Sequence, residues 1–484
     1  MEVRTRFAPS PTGYLHIGGL RTALYAWLFA KKNNGTFVLR IEDTDQERYV
    51  EGSVEIIYST LRAAGLTYGE GPDVGGGYGP YIQSERKHRG IYKHYAEELV
   101  RRGGAYYCFC TKERLDSVRE ETEMGGGTFK YDKHCLHLSE EEVKSRLEAG
   151  EPYVIRQNIP EEGTTTFSDL IYGDITVENA TLDDNVLLKS DGMPTYNFAN
   201  VVDDHLMGIT HIIRGTEYLS STPKYNMLYA GFGWDIPQYI HLPPVMKDAH
   251  RKLSKRHGDA SFEDFTSKGY LPDAIVNYIA LLGWNPGYNQ EIFTLSELAE
   301  AFSLEGISKS PAIFDVEKLT WMNGEYIRKL MPEEFKAVAM PWYEKAGVAA
   351  FDLDIIGGMI QPRLERLGQI GEKLAFLLEL PDYDISLYEH KKMKTDPGLA
   401  KTCIGKAREL LVSMARWEPT ALHDSLIDLA TEMGVKNGQL LFSVRIALTG
   451  TEVTPGGAIE AAALLGREES LRRIGVALDK LSGA

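Results

Sequence analysis

Apolar positions in the first hundred residues recur in two rhythms. Short apolar runs at Val3–Ala8 and Thr36–Ile41 predict strands, and apolar residues three and four apart predict helices. Behind Gly18 and Gly19, the side chains of Leu20, Leu24, Trp27 and Leu28 share one helical face. Ser53–Ala64 and Ser84–Arg102 are expected as two further helices. From about Ala105 the alternation breaks into cysteines, short polar segments and Gly125–Gly127, the pattern of an insertion with its own structure. It resumes with a strand at Asn185–Lys189, a helix at Tyr196–Val202, a strand at Ile209–Arg214, a helix at Thr222–Phe232 and a strand at Gln238–His241. Beyond Lys255 the period is mostly helical, with Asp273–Leu282, Leu295–Phe302 and Val316–Leu330 as helices. Turn signals at Pro381-Asp382, Gly434, Gly450 and Pro455–Gly457 punctuate a helical remainder. Strand–helix alternation predicts an α/β fold with a parallel sheet. The expected organisation is a nucleotide-binding fold split into 1–104 and 191–250, an inserted domain at 105–190, a stem at 251–330 and a helical domain at 331–484.

Composition narrows the function classes. The chain has 484 residues, 43% hydrophobic and 25% charged, enough for three or more domains. A net charge of −16 argues against indiscriminate nucleic-acid binding but leaves room for a local basic surface. Arg86–Arg89, Arg101-Arg102 and Lys391–Lys394 are candidate patches, though a solvated face is the better reading of any one taken singly. No apolar run approaches the roughly 20 residues of a membrane span, and Met1–Arg6 has no signal core. Four cysteines indicate no disulfide framework, so a soluble cytoplasmic protein is expected.

Three clusters carry chemistry. Phe7–Gly19 reads as strand, Pro/Gly turn and helix start, where glycine amides favour a phosphate and His16 is placed to donate to it. Lys252–Arg256 offers two ammonium groups, Lys252 and Lys255, spaced for one polyphosphate chain. Cys108, Cys110, Cys135 and His137 offer three thiolates and an imidazole, a set suited to a structural tetrahedral zinc. The competing reading is buried cysteines beside a solvated histidine, with His134 adjacent.

Taken together these stretches resemble the class I aminoacyl-tRNA synthetases. His16–Gly19 resembles their HIGH motif, with Gly19 in place of His, and Lys252–Arg256 their KMSKS motif, with Leu253 and Arg256 in place of Met and Ser. Within the class the chain is similar to bacterial glutamyl-tRNA synthetases, through Phe7–Gly19, Arg40–Asp45, Ile209–Glu217, Lys252–Gly258 and Ala447–Gly450. The resemblance implies a Rossmann-like parallel-sheet catalytic domain, an inserted α+β zinc domain that holds the tRNA acceptor end, a helical stem and an all-α anticodon-binding domain. It implies ATP-dependent ligation of L-glutamate to the 3′ end of tRNA through an adenylate, with Mg2+ on the nucleotide and one structural Zn2+, in a monomer. Activation is expected to need bound tRNA.

The implied substrate has one ammonium and two carboxylates. By resemblance Arg6, Ala8, Ser10, Glu42, Tyr196, Asn200 and Arg214 form the glutamate pocket, with Glu42 for the ammonium and the arginines for carboxylates. Thr12, His16, Gly18, Glu217, Lys252, Leu253, Ser254, Lys255 and Arg256 are implied at ATP; His16, Gly18, Gly19, Lys252 and Lys255 are implied in catalysis. Arg363 is implied at the third anticodon base. Glutaminyl-tRNA synthetases share both signatures but lack an arginine matching Arg214 and carry a β-barrel anticodon module. An adenylate-forming relative without tRNA would be shorter, and a silent tRNA-binding paralogue would be expected to have lost His16, Lys255 or the arginines.

Overall fold

The computed structural model describes residues 2–126, 129–253 and 260–483. The chain forms two compact units, residues 1–264 with 275–315 and residues 265–274 with 316–484.

In the first unit strand β1 (Arg4–Phe7) leads through a Pro/Gly turn into α1 (Ile17–Lys32) and on to β2 (Thr36–Leu39), which pairs parallel with β1. All four β1 residues are buried, the pattern of a strand covered on both faces. Helices α2 (Ser53–Ala63), α3 (Gln83–His88) and α4 (Ile91–Arg101) follow. The single helix expected over Ser84–Arg102 is thus two, because Gly90 takes a left-handed φ of 73° between them. Arg86, read as part of a basic patch, is buried with its guanidinium on Asp203.

Next come β3 (Ala105–Cys108), α5 (Lys112–Met124), α6 (Glu140–Glu148), β4 (Val154–Gln157), β5 (Thr164–Asp169), β6 (Gly173–Glu178) and β7 (Val186–Leu188). Helix α6 starts in a reciprocal capping box between Ser139 and Glu142. Strands β3, β4 and β7 make an antiparallel sheet of their own. The hairpin β5–β6 does not stay with it. After α7 (Tyr196–Leu206), β8 (His211–Gly215), α8 (Thr222–Phe232) and β9 (Gln238–Leu242), β5 pairs parallel with β9, which pairs parallel with β8. The Thr210 N–H donates to the Arg4 carbonyl at 3.0 Å, so the chain entering β8 runs beside β1. The unit closes with a short parallel pair, β10 (Val245–Met246) and β11 (Ala312–Ile313). The functional ends of β1, β2 and β8 lead into helix starts or turns, where parallel sheets hold ligands.

The second unit is built of helices around one core. Val316–Lys329, Pro332–Ala346, Leu353–Ile360, Ile370–Leu378, Pro397–Ser413, Pro419–Glu432, Asn437–Thr449 and Ala458–Ser482 contribute Ile327, Phe335, Ile356, Leu374, Ile404, Leu426, Ile446 and Ile474 to it. Buried Arg473 is absorbed by donating to the Phe376 and Leu448 carbonyls at 2.6 and 2.8 Å and pairing with Glu469. No helix among the described residues is long and apolar enough to cross a membrane.

Candidate active site

His16 is the N-cap of α1. Its Nδ1 accepts from the Gly18 N–H at 3.0 Å, which leaves the proton of a neutral ring on Nε2. The Gly18 amide is therefore not bare, as the sequence suggested; it holds the histidine in place. His16, Gly18, Gly19, Arg21, Glu217 and Lys252 line one cavity of about 410 Å³, together with Gly215 and Leu253. At Gly215 a Cβ would lie 2.1 Å from a Glu217 carboxylate oxygen, so any side chain there displaces Glu217. Leu253 is tied down by its N–H to the Val245 carbonyl at 3.1 Å, which carries Lys252 to the cavity wall. Ser254, Lys255 and Arg256 lie outside the described residues. Arg21 was missed in the sequence. It is buried, donates to the carbonyls of Leu282 and Pro243, and has its pKa lowered by burial.

A second cavity of about 580 Å³ is lined by Ser10, Asp45, Arg48, Lys189, Tyr196 and Tyr218, among others. Ser10 and Thr12 share the exposed turn after β1, where the Thr12 N–H donates to the Ser10 carbonyl, and Ala8 is half-buried at its start. Tyr196 stacks on Tyr218 with ring centres 5.4 Å apart. Asn200, one turn on in α7, donates its amide to the Tyr196 carbonyl at 2.8 Å and is buried.

Behind this cavity lies a buried charge network. Arg40 grips Glu42 Oε1 at 2.7 Å and Asp204 Oδ1 at 2.7 Å. Arg6 holds both Asp204 oxygens, at 3.1 and 3.3 Å, and donates to the Ile213 carbonyl. Arg86 reaches Asp203 at 2.6 Å, and Gln83 and Tyr92 also donate to Asp203. Three guanidinium groups thus face three carboxylates out of water, an arrangement that survives only when every charge is paired. Burial pushes Asp204 up, but Arg6 and Arg40 outweigh it and hold the carboxyl below its usual range. For Glu42 burial wins over Arg40 and raises the pKa. Its second oxygen, Oε2, is buried without a hydrogen-bond partner among the described residues. Asp203 and Asp204 escaped notice in the sequence. The signal for them was present: arginines inside apolar strands require buried acids, and this acidic pair ends the apolar face of α7.

Arg214, at the end of β8, is the register partner of His241 on β9. Its Nε donates to His241 Nε2 at 3.0 Å and its Nη2 to the Thr222 hydroxyl at 2.9 Å. The rings of Tyr218, Tyr225 and Tyr239 lie 5.2, 4.6 and 5.3 Å from the guanidinium carbon. Nη1 is buried and has no hydrogen-bond partner among the described residues. Arg214 and Glu42 both act electrostatically on Tyr196 and Tyr225, so the cation and the acid lie near the same two tyrosines.

Away from these residues, the sulfurs of Cys108, Cys110 and Cys135 lie within 4.8 Å of one another, as three soft ligands of one metal would. His137 does not join them. It is exposed on the 3₁₀ turn His134–His137, where two residues of separation send its side chain away from that of Cys135. The hydroxyl of Tyr131 takes that place, 3.3 Å from the sulfurs of both Cys108 and Cys110. A hydrogen bond from the Cys135 thiol, with further ones from Tyr131 and Arg156, overcomes burial and pushes the Cys108 thiol down to about 4. A group already poised as thiolate fits a zinc ligand.

In the second unit Arg363 ends the turn Gln361–Arg363, is exposed, and donates to the Met359 carbonyl at 2.9 Å. It lines a cavity of about 760 Å³ with Lys373, Phe376, Thr451 and Pro455.

Comparison with known proteins bears on these sites. Residues 2–321 match the family tRNA synthetases class I (E and Q), catalytic domain, and residues 322–478 match the family Anticodon binding domain. A Clostridium novyi protein named glutamate–tRNA ligase is 60% identical over 487 residues, covering 100% of this chain and 99% of that one. Its Clostridium tetani namesake is 58% identical, covering 99% and 98%. A crystal structure of a glutamate tRNA ligase from Elizabethkingia meningosepticum, in complex with its amino acid, superposes with a TM-score of 0.90 at 37% identity, covering 99% of this chain and all of that one.

Proposed function

The chain belongs to the class I tRNA synthetases of the glutamate and glutamine type, and from that membership we infer that it ligates L-glutamate to the 3′ end of tRNA through a glutamyl-adenylate made from ATP. One observation supports the choice of glutamate: buried Glu42 and Arg214, which both act on Tyr196, each keep a polar atom without a hydrogen-bond partner among the described residues. Glu42 takes the substrate ammonium, and Arg214 takes the side-chain carboxylate. Arg6, Ala8, Ser10, Tyr196 and Asn200 complete the pocket. A neutral amide in place of that carboxylate leaves the guanidinium without its ion, which is the basis for rejecting glutamine.

The chemistry follows from the substrate. A glutamate α-carboxylate oxygen attacks the α-phosphorus of ATP, and diphosphate leaves with the bonding pair. A terminal ribose hydroxyl of tRNA then attacks the acyl carbon and AMP leaves. The attacking carboxylate needs no activating base, so the protein's part is positioning and charge stabilisation. His16, Gly18 and Gly19 meet the phosphates at the start of α1, and Lys252 and Lys255 supply ammonium groups. Thr12, Glu217, Leu253, Ser254 and Arg256 complete the ATP site, with magnesium carried on phosphate oxygens. Activation requires tRNA, whose acceptor end meets the domain at 105–190 and whose anticodon meets 331–484; 251–330 is the stem. The acidic composition and few cysteines support a cytoplasmic setting, and we carry forward a monomer. The direct test is charging with labelled glutamate on purified glutamate and glutamine tRNAs, each alone.

Zinc fits the three sulfurs, with the Tyr131 hydroxyl as the fourth neighbour, and would order the inserted domain without entering the reaction. Metal analysis is expected to give one zinc per chain. Cys108→Ser should lose it and impair charging more than ATP binding, whereas His137→Ala should keep it. Full charging by metal-free protein would reduce the cluster to packing.

Arg363 is read as a contact to the last anticodon base. Arg363→Gln is expected to narrow the kcat/KM gap between glutamate and glutamine tRNAs by roughly 1–3 kcal/mol, as for one base contact. An unchanged ratio would make it a surface residue.

A further inference from the structure

We propose that the Asp169–His241 pair is a positioning device for selectivity, which clamps the Arg214 guanidinium on its Nε edge and leaves its Nη1 edge for an acidic ligand. The proposal rests on the reading that Arg214 receives the substrate carboxylate.

The pair and its client come from three parts of the chain. Asp169 ends β5, His241 lies on β9 and Arg214 on β8, and the pairing of β5 with β9 and β9 with β8 brings them together. His241 Nδ1 lies 2.7 Å from Asp169 Oδ2, and both side chains are fully buried. A carboxylate can only accept, so the ring proton sits on Nδ1. Nε2 is then a lone pair, as its 3.0 Å contact with the Arg214 Nε–H demands. Burial lowers the His241 pKa and Arg214 acts in the same sense, against the hydrogen bond and charge of Asp169; it is the acceptor role of Nε2 that requires a neutral ring. Asp169 is itself fixed: Oδ1 accepts the N–H groups of Ile171 and Tyr172 at 2.9 Å each, and Oδ2 also accepts the His241 N–H at 3.0 Å.

The histidine spacer has a physical purpose. A carboxylate placed directly on Arg214 would occupy the fork and compete with the substrate for it. One ring farther off, Asp169 orients the arginine without taking its ligand edge. Thr222 and the three tyrosine rings hold the rest of the plane.

Asp169→Asn tests this. Whichever way the amide turns, its NH2 meets donors: the Ile171 and Tyr172 amides, or the His241 side. In the latter case Nδ1 must accept, the ring proton moves to Nε2, and two donors oppose each other at Arg214. His241→Phe removes the acceptor at similar size, and His241→Gln keeps one. In the full-length enzyme with tRNA, Asp169→Asn and His241→Phe are expected to raise KM for glutamate roughly 10- to 100-fold, the scale of a hydrogen bond to a charged group. The preference for glutamate over glutamine should fall with it, while KM for ATP stays within about twofold. His241→Gln should keep most of the preference, a rescue that mere packing would not produce. A raised KM in Arg214→Ala with unchanged KM in Asp169→Asn and His241→Phe would overturn the proposal alone. An unchanged KM in Arg214→Ala would overturn the reading beneath it.

Discussion

Arg214→Ala is expected to cut kcat/KM for glutamate by roughly two to three orders of magnitude, because removing one partner of a buried ion pair costs about 3–5 kcal/mol. The guanidinium is built for a single ligand. Two of its nitrogens are committed to His241 and Thr222, three rings lie against it, and the third nitrogen is buried without a hydrogen-bond partner among the described residues. The loss should fall on glutamate and spare ATP, whose proposed cavity is lined by other residues. Steady-state kinetics with each substrate varied in turn checks this. Near-normal kcat/KM in a folded Arg214→Ala enzyme would remove Arg214 from the pocket.

Asp204→Ala should cost the first unit about 3–5 kcal/mol of stability, since it leaves Arg6 and Arg40 facing each other in a buried space with one anion gone. Arg6 is proposed as a pocket residue, so glutamate affinity should fall as well. The pH dependence has a definite sign. The folded pKa of Asp204 is depressed, so its contribution is complete above the unfolded value of about 3.9 and disappears as pH falls through the depressed value. Urea unfolding of wild type and variant should therefore differ by a constant amount from neutrality to about pH 4 and converge below it. Equal stability at pH 7 would mean that the network relaxes around the missing acid.

What could be read in the sequence was local. The start of α1 was legible because Gly18, Gly19 and the apolar face of Leu20, Leu24 and Leu28 lie within one segment. The three sulfurs were legible because Cys108 and Cys110 are one residue apart and Cys135 is close in sequence. The helical nature of the second unit followed from a sustained period. What escaped depends on distant pairing or on a single dihedral. Ser84–Arg102 reads as one amphipathic helix, and only the left-handed turn at Gly90 divides it. His137 has the right chemistry and spacing, but the pitch of a 3₁₀ turn sends it outward and leaves its place to Tyr131, which carried no metal-ligand signature. Asp169 looked like part of an inserted domain, yet β5 pairs with β9 and delivers it behind Arg214. Asp204 and Arg40 are 164 residues apart, and nothing local marks them as partners.

Glu42 and Arg214 are proposed to make this site a selector for an amino acid with a second carboxylate. The most direct measurement is ATP–diphosphate exchange in the presence of glutamate tRNA, run with each standard amino acid at saturating ATP. The account predicts exchange with glutamate and a rate for glutamine lower by roughly two orders of magnitude or more, the scale of leaving a buried charge unpaired. Exchange with glutamine at a rate comparable to that with glutamate would contradict it.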